Sequence, residues 1–362
     1  MFSNPPEITK NWGTPVWPIP SFRYKSGWPE NGSCDIAIIG AGFTGLACAL
    51  HVLGSSPGSR VIVLESGSMG NGASMRSGGI VLEHTAGGPH PGFENCIDYF
   101  EDFMNNQGIN CGFKRTGCFE VARTGGEPSS PISWNDSGIL RVTKRLQGGI
   151  VDPAQLLHGL ANAAQSKKAE IRTNVTVARV DLKEDHVVVS GMQKSLNASA
   201  VIIATNSMSL NLSGIEGTLT PCMTLALATG RINRADAGRA GWEEKTPFYT
   251  TDFPYLWGRE GINEGAVFGS GLVFEGEAEF ISDRYVQELF QAIESRIKSM
   301  HPAFSGIQVT HRWAGPIAIT PDMKPVIKVI EDRKIVYAGG YSGHGVAQSI
   351  KAGGLVQKLI GA

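Results

Sequence analysis

Gly40, Gly42 and Gly45 form a Gly-x-Gly-x-x-Gly loop directly after the apolar run Asp35-Ile36-Ala37-Ile38-Ile39. Glu65 follows twenty residues past Gly45, at the end of Arg60-Val61-Ile62-Val63-Leu64. Each position has a physical purpose. Gly40 permits the tight turn out of a strand, Gly42 lets the backbone approach a pyrophosphate, and Gly45 lets the next helix pack closely on the strand. With Phe43 and Thr44, the loop presents the unpaired N–H groups of a helix start to phosphates. The Glu65 carboxylate, followed by Ser66, can accept hydrogen bonds from both hydroxyls of an adenosine ribose. It would repel a 2′-phosphate, which disfavours NADP and leaves FAD or NAD.

Two more clusters carry chemistry. The stretch from Gly67 contains Ala73, Ser74, Arg76, Ser77, Gly78 and Gly79, residues suited to a backbone that turns sharply beside a charged planar ligand. It is read as a cofactor-lining loop. Near the C-terminus, Gly340-Tyr341-Ser342-Gly343-His344-Gly345 lies between an apolar strand and a helix carrying Val346, Ile350, Leu355 and Leu359. That arrangement points a second helix start at an anion or a carbonyl oxygen. His344 sits between glycines there and is a candidate hydrogen-bonding group. An NAD enzyme would have no use for this second loop, so FAD is preferred. Tyr255, Trp257, Trp313 and Tyr341 are candidates for an aromatic substrate lining. Arg76, Arg259 and Arg312 are candidate partners for a remote acidic group, or members of structural ion pairs.

These residues need a scaffold, and the apolar periodicity supplies one. Helical spacing appears over Leu46, Leu50 and Leu53, over residues 93–107, after the cap Asp152-Pro153, and from about 282 to 300. Alternating and aromatic strands from 219 to 271 predict an antiparallel sheet. The unbroken run Ala200-Val201-Ile202-Ile203-Ala204 predicts a strand covered on both faces. Residues 1–33 hold Trp12, Trp17 and Trp28 and predict an ordered arm laid over the body. The 362-residue chain has 32 Lys plus Arg against 33 Asp plus Glu, so no nucleic-acid partner is expected. No apolar run is long enough to span a membrane. The six cysteines contain no Cys-x-x-Cys pair, and neither they nor the eight histidines cluster at metal-ligand spacing. A soluble cytoplasmic protein without a metal is expected.

The glycine loop, Glu65, the loop at 72–79, the strand at 200–205, Trp313-Ala314-Gly315 with Thr320, Asp322 and Pro325, and the loop at 340–345 occur in that order. In this ordered set the chain resembles the FAD-dependent D-amino-acid oxidase superfamily, which includes glycine oxidase, sarcosine oxidase and γ-glutamylputrescine oxidase. The resemblance covers residues 34–362. Ala73-Ser74, Arg76, Gly78-Gly79 and the aromatic arm look most like the γ-glutamylputrescine oxidase branch. It implies an α/β (α+β overall) fold with a Rossmann-like FAD-binding domain from 33–92, 146–215 and 311–362. A substrate-binding domain on a mixed or antiparallel sheet would come from 93–145 and 216–310, with the arm at 1–32. By the same resemblance, the Val177 backbone meets the adenine, Ala204 and Thr205 border the nucleotide, and Gly315 belongs to the cofactor set. The loop at 340–345 faces the flavin pyrimidine end.

Departures from the family pattern narrow the substrate. The arginine that pairs with a substrate carboxylate in glycine oxidase-like enzymes is replaced within Pro316-Ile317-Ala318-Ile319, and the corresponding sarcosine oxidase lysine is Ala347. The segment 312–320 has no cysteine, so FAD should be noncovalent. Val267 stands near the lysine associated with oxygen activation, leaving oxygen or a carrier as electron acceptor. These features predict oxidation of the C–N bond of a small amine, polyamine-like in one version, by hydride transfer to flavin N5 and hydrolysis of the imine. The alternatives are a secondary or D-amino-acid dehydrogenase or oxidase, and a non-catalytic FAD-binding redox-sensing module.

Overall fold

The computed structural model describes residues 13–18, 24–30, 32–122, 134–135, 139–212, 214–215, 217–252, 255–274, 283–331 and 334–361. Residues 1–12 and 19–23 of the expected arm, Trp12 among them, lie outside the described residues.

The first sheet grows around Ser33–Ile39, whose apolar residues are buried on both sides of the strand. It pairs in parallel with Val61–Leu64 on one side and Ser195–Ile203 on the other, with Ile39 opposite both Leu64 and Ile203. Ile335–Gly339 adds to Ser195–Ile203 in parallel, and Glu170–Thr173 extends the other edge. Nine strands result. Helices Phe43–Ser55, Pro153–Ser166 and Gly345–Ile360 share one core on one face, while Val175, Val177, Val187, Val189 and Leu196 belong to a separate cluster on the other. Sequestration of both faces explains why these strands read as continuous apolar runs. Asp152 caps Pro153–Ser166 through hydrogen bonds from the Ala154 and Gln155 N–H groups, as its sequence predicts.

The second sheet has eight strands, with Val309–Ile319, Thr220–Thr229, Ala266–Phe274 and Leu256–Glu260 running antiparallel in that order. Its far half is mixed, because Phe248–Thr250 pairs in parallel with Cys118–Ala122. Alternation divides its two faces. Leu225, Leu227 and Phe268 pack under helix Asp283–Met300, whereas Ala226, Ala228, Val267 and Trp313 join the core that contains the nucleotide helix.

Two further elements complete the layers. Helix Cys96–Gln107 buries Cys96, Ile97, Phe100 and Met104 in the same core as helices Phe43–Ser55 and Gly345–Ile360, so 93–107 joins the nucleotide side. Strand Val309–Ile319 is bonded along Thr220–Thr229, which puts 311–319 in the second sheet. Apolar periodicity marked the helix at 93–107 but carried no information about which neighbour would cover it, and the strand at 309–319 was not read from the sequence.

Candidate active site

The loop after Ser33–Ile39 is shaped by close backbone contacts. Gly40 has φ +102°, and a Cβ there would lie 2.7 Å from the Ala204 carbonyl oxygen. A Cβ on Gly45 would overlap the Gly40 carbonyl. Helix Phe43–Ser55 therefore starts hard against the strand, with extended Gly42 as its first flanking residue. Ser74 Oγ accepts the Phe43 N–H at 2.9 Å, joining the second glycine-rich loop to the helix start. The Glu65 carboxylate accepts the Ala41 N–H at 3.0 Å and the Gly67 N–H at 3.1 Å. An ionised carboxylate has further lone pairs for ribose hydroxyls. Ser66 is exposed beside it, and the Val175 N–H donates to the Glu65 carbonyl, so the chain leading to buried Val177 runs alongside. Thr205 Oγ1 is buried without a hydrogen-bond partner among the described residues, as a hydroxyl reserved for a ligand would be.

The C-terminal loop is pinned from two sides. Gly340 has φ +70°, and its N–H donates to Asn206 Oδ1 at 3.1 Å. Ser342 takes φ +50°, with its N–H donating to the Ala318 carbonyl and its Oγ accepting from the Thr320 N–H. This carries Gly343, His344 and Gly345 to the start of helix Gly345–Ile360. His344 Nδ1 is 2.8 Å from the Ser342 carbonyl oxygen. A carbonyl only accepts, so Nδ1 carries the proton and Nε2 is an acceptor. Burial holds the imidazole pKa below its ordinary value, which keeps the ring neutral.

The five residues expected to meet substrate divide into two groups. Tyr255 and Trp257 alternate with Leu256, which lies in the core beneath Asp283–Met300, so both face the nucleotide side. The Tyr255 hydroxyl lies 3.9 Å from the position a Gly343 Cβ would take. Burial pushes its phenol up to about 12, with the adjacent Cys222 acting in the same direction and Thr224 opposing it. The buried Thr224 hydroxyl makes no well-formed hydrogen bond among the described residues. The Trp257 ring covers Gly269 and meets Gly78, where any Cβ would collide with it. Tyr341 and Trp313 lie deeper. The Tyr341 hydroxyl bonds Thr44 Oγ1 at 2.9 Å, and burial drives its pKa upward. Trp313 is fully buried and donates to the Arg76 carbonyl at 2.9 Å. Gly315 gives Arg76 room, with Arg76 Cβ 3.0 Å from where a Gly315 Cβ would stand.

The arginines are occupied. Arg76 donates to the carbonyls of Asn71, Gly13 and Ala314. Arg259 donates to those of Gly78, Gly79, Val151 and Glu260, and burial lowers its pKa to about 10. Arg312 pairs with Glu294. Asn206 and Trp17 were not among the sequence-derived site residues. Asn206 had no motif to mark it; Trp17 had only the signal that an indole in a short arm must be covered.

A helix start beside a carboxylate with lone pairs to spare, and a second helix start on a constrained loop opposite an aromatic sheet face, suit a flavin-dependent oxidoreductase. The donor set fits FAD in particular, since it pairs backbone N–H groups for a diphosphate with an orphaned hydroxyl at Thr205 and no covalent anchor in 312–320. The chain belongs to the FAD dependent oxidoreductase (DAO) family, whose model matches residues 35–359. It is 24% identical over 375 residues to gamma-glutamylputrescine oxidoreductase of Escherichia coli K12, covering 91% of this chain and 84% of that protein. Its fold is similar to L-proline dehydrogenase from P. horikoshii, at TM-score 0.72 and 20% identity over 94% of both chains. Glycine oxidase from Geobacillus kaustophilus matches at TM-score 0.72 and 18% identity, covering 91% of this chain and 95% of that one. No helix among the described residues is long and apolar enough to cross a membrane, and no metal-binding cluster occurs among them.

Proposed function

We propose that this chain oxidises the carbon–nitrogen bond of a small amine, polyamine-like rather than an α-amino acid, in a site bounded by Tyr255, Trp257 and His344. Bound FAD supplies the acceptor for the hydride that leaves the carbon beside nitrogen, and the resulting imine is hydrolysed by water. The protein's part is to orient that carbon, exclude water and favour the uncharged amine. Trp257 and Tyr255 do this by desolvation, which penalises an ammonium ion relative to a neutral amine. His344 Nε2 is suited to accept an N–H hydrogen bond from the amine. Trp313 and Tyr341 brace the cofactor loops from behind.

The observation that carries the choice of amine is the commitment of Arg76 and Arg259 to backbone carbonyls and of Arg312 to Glu294. A carboxylate desolvated against this face would need a cation to offset the cost. The sequence relationship to gamma-glutamylputrescine oxidoreductase supports the same class. Fully buried Val267 offers no charge for oxygen activation, which supports a carrier as the electron acceptor. Six buried unpaired thiols are consistent with a reducing, cytoplasmic setting.

The test is anaerobic bleaching of the flavin by polyamines and N-substituted amines against D-, secondary and α-amino acids. Bleaching by the amines is expected. Bleaching confined to amino acids would overturn the reading in favour of an amino-acid dehydrogenase, and reoxidation with and without oxygen separates the two acceptors.

A further inference from the structure

Four consecutive carbonyls, those of Arg76, Ser77, Gly78 and Gly79, each receive a hydrogen bond from a side chain distant in sequence. Trp313 Nε1 donates to Arg76 at 2.9 Å and Trp17 Nε1 to Ser77 at 3.1 Å. Arg259 Nη1 donates to Gly78 at 3.1 Å and Gly79 at 3.2 Å. Two of the three donors support each other. The Arg259 guanidinium carbon sits 5.0 Å from the centre of the Trp17 ring, and the arm is fastened again where Arg76 Nη1 donates to the Gly13 carbonyl at 3.1 Å. Trp17 is 2% exposed and Arg259 5%. Desolvating a guanidinium against carbonyls and an indole, instead of a carboxylate, is costly. The Gly78 and Gly79 N–H groups, meanwhile, donate none of the loop and turn backbone hydrogen bonds among the described residues.

We infer that Trp17, Arg259 and Trp313 form a clamp that fixes residues 76–79 by their carbonyls and keeps the Gly78 and Gly79 N–H groups available to FAD. The N-terminal arm is thereby part of the cofactor site. The clamp leaves a buried positive charge directly behind the cofactor loop, where it favours gain of negative charge by the flavin on reduction. Trp17 and Arg259 are positioning residues, acting through the loop. Gly79, at φ +68° and with Arg259 Nη1 2.8 Å from its Cβ position, is the point where any other residue would push the guanidinium away.

The experiment uses the full chain and does not depend on the identity of the substrate. Apoprotein and FAD-loaded protein are compared for wild type, W17F, R259K and R259Q by FAD titration, melting temperature and flavin midpoint potential. W17F keeps an aromatic face toward Arg259 while removing the N–H donor together with part of the indole. It should weaken FAD binding about tenfold, as expected for one lost hydrogen bond and a loosened loop, and lower the melting temperature of the FAD-loaded protein by more than that of the apoprotein, which the smaller ring also destabilises. R259K preserves the charge without the fork. It should weaken FAD binding by a similar factor while holding the potential near wild type, whereas R259Q should also lower the potential. Wild-type FAD affinity in both W17F and R259K would overturn the clamp, as would equal losses in apo and loaded melting temperatures with unchanged affinity. If R259Q fails to fold, W17F and R259K still decide.

Discussion

The two halves of the proposed site, the glycine-loop side and the aromatic sheet face, are built on opposite principles. Around 40–45 the groups proposed to bind are backbone N–H donors, held in place by glycines so closely packed that a Cβ at Gly40 or Gly45 meets a carbonyl. On the sheet, the proposed groups are the side chains of Tyr255, just before strand Leu256–Glu260, and of Trp257 within it. A backbone site tolerates almost any side chain and almost no change of path. A side-chain site has the reverse tolerance. Mutations should therefore separate cofactor retention from substrate turnover.

The largest effect is expected at Gly45→Ala. The added methyl overlaps the Gly40 carbonyl, and neither strand nor helix can retreat without unpacking the core, a strain on the order of 3 kcal/mol. Purified protein should carry little flavin and melt well below wild type, which absorbance at the flavin band and a thermal scan will record. Trp257→Ala should do the opposite, retaining FAD while losing roughly 2 kcal/mol of transition-state binding, about thirtyfold in kcat/KM. If its flavin content falls in step with activity, Trp257 belongs to the cofactor side and the division fails.

This contrast also sets what could be read from sequence. Gly40, Gly42, Gly45, Glu65 and the Asp152 cap are legible because local sterics dictate them, within one turn or one strand–helix unit. The partners of the second loop are different. Tyr341 reaches Thr44 across 297 residues, and Trp17 meets Ser77 and Arg259 only after both sheets have assembled. Tyr341 and Trp313 were marked in the sequence only as aromatic residues in a glycine context, and their depth in the fold was not legible there. Aromatic composition alone does not distinguish a pocket wall from a brace behind the wall.

Acid probes the nucleotide side at an intermediate scale. His51 lies on helix Phe43–Ser55, where its Nε2 meets the Tyr99 hydroxyl at 3.2 Å, and burial lowers its pKa from 6.5 to about 4. The neutral ring is the folded form, so its stabilising contribution is complete above pH 6.5 and is lost as pH falls through about 4. After allowance for partial exposure, the loss is on the order of 2 kcal/mol. Melting temperature and FAD retention should decline together over that interval, and His51→Gln should flatten the decline. An unchanged slope in that variant would assign the acid sensitivity to other groups.

The smallest effect tests the seam between the two glycine loops. Tyr341→Phe removes the hydroxyl that bonds Thr44 Oγ1 and leaves that oxygen buried, so it should cost about 1 kcal/mol and weaken FAD binding roughly fivefold. Thr44→Val should cost a similar amount for the mirror-image reason. Replacing both removes the pair without orphaning either atom, and the double variant should be less impaired than the sum of the singles. A double-mutant cycle on FAD affinity reads that coupling directly. Additive losses would mean the hydroxyls act separately, and the two helix starts would then be joined by packing of Gly353 against Ala47 rather than by this hydrogen bond.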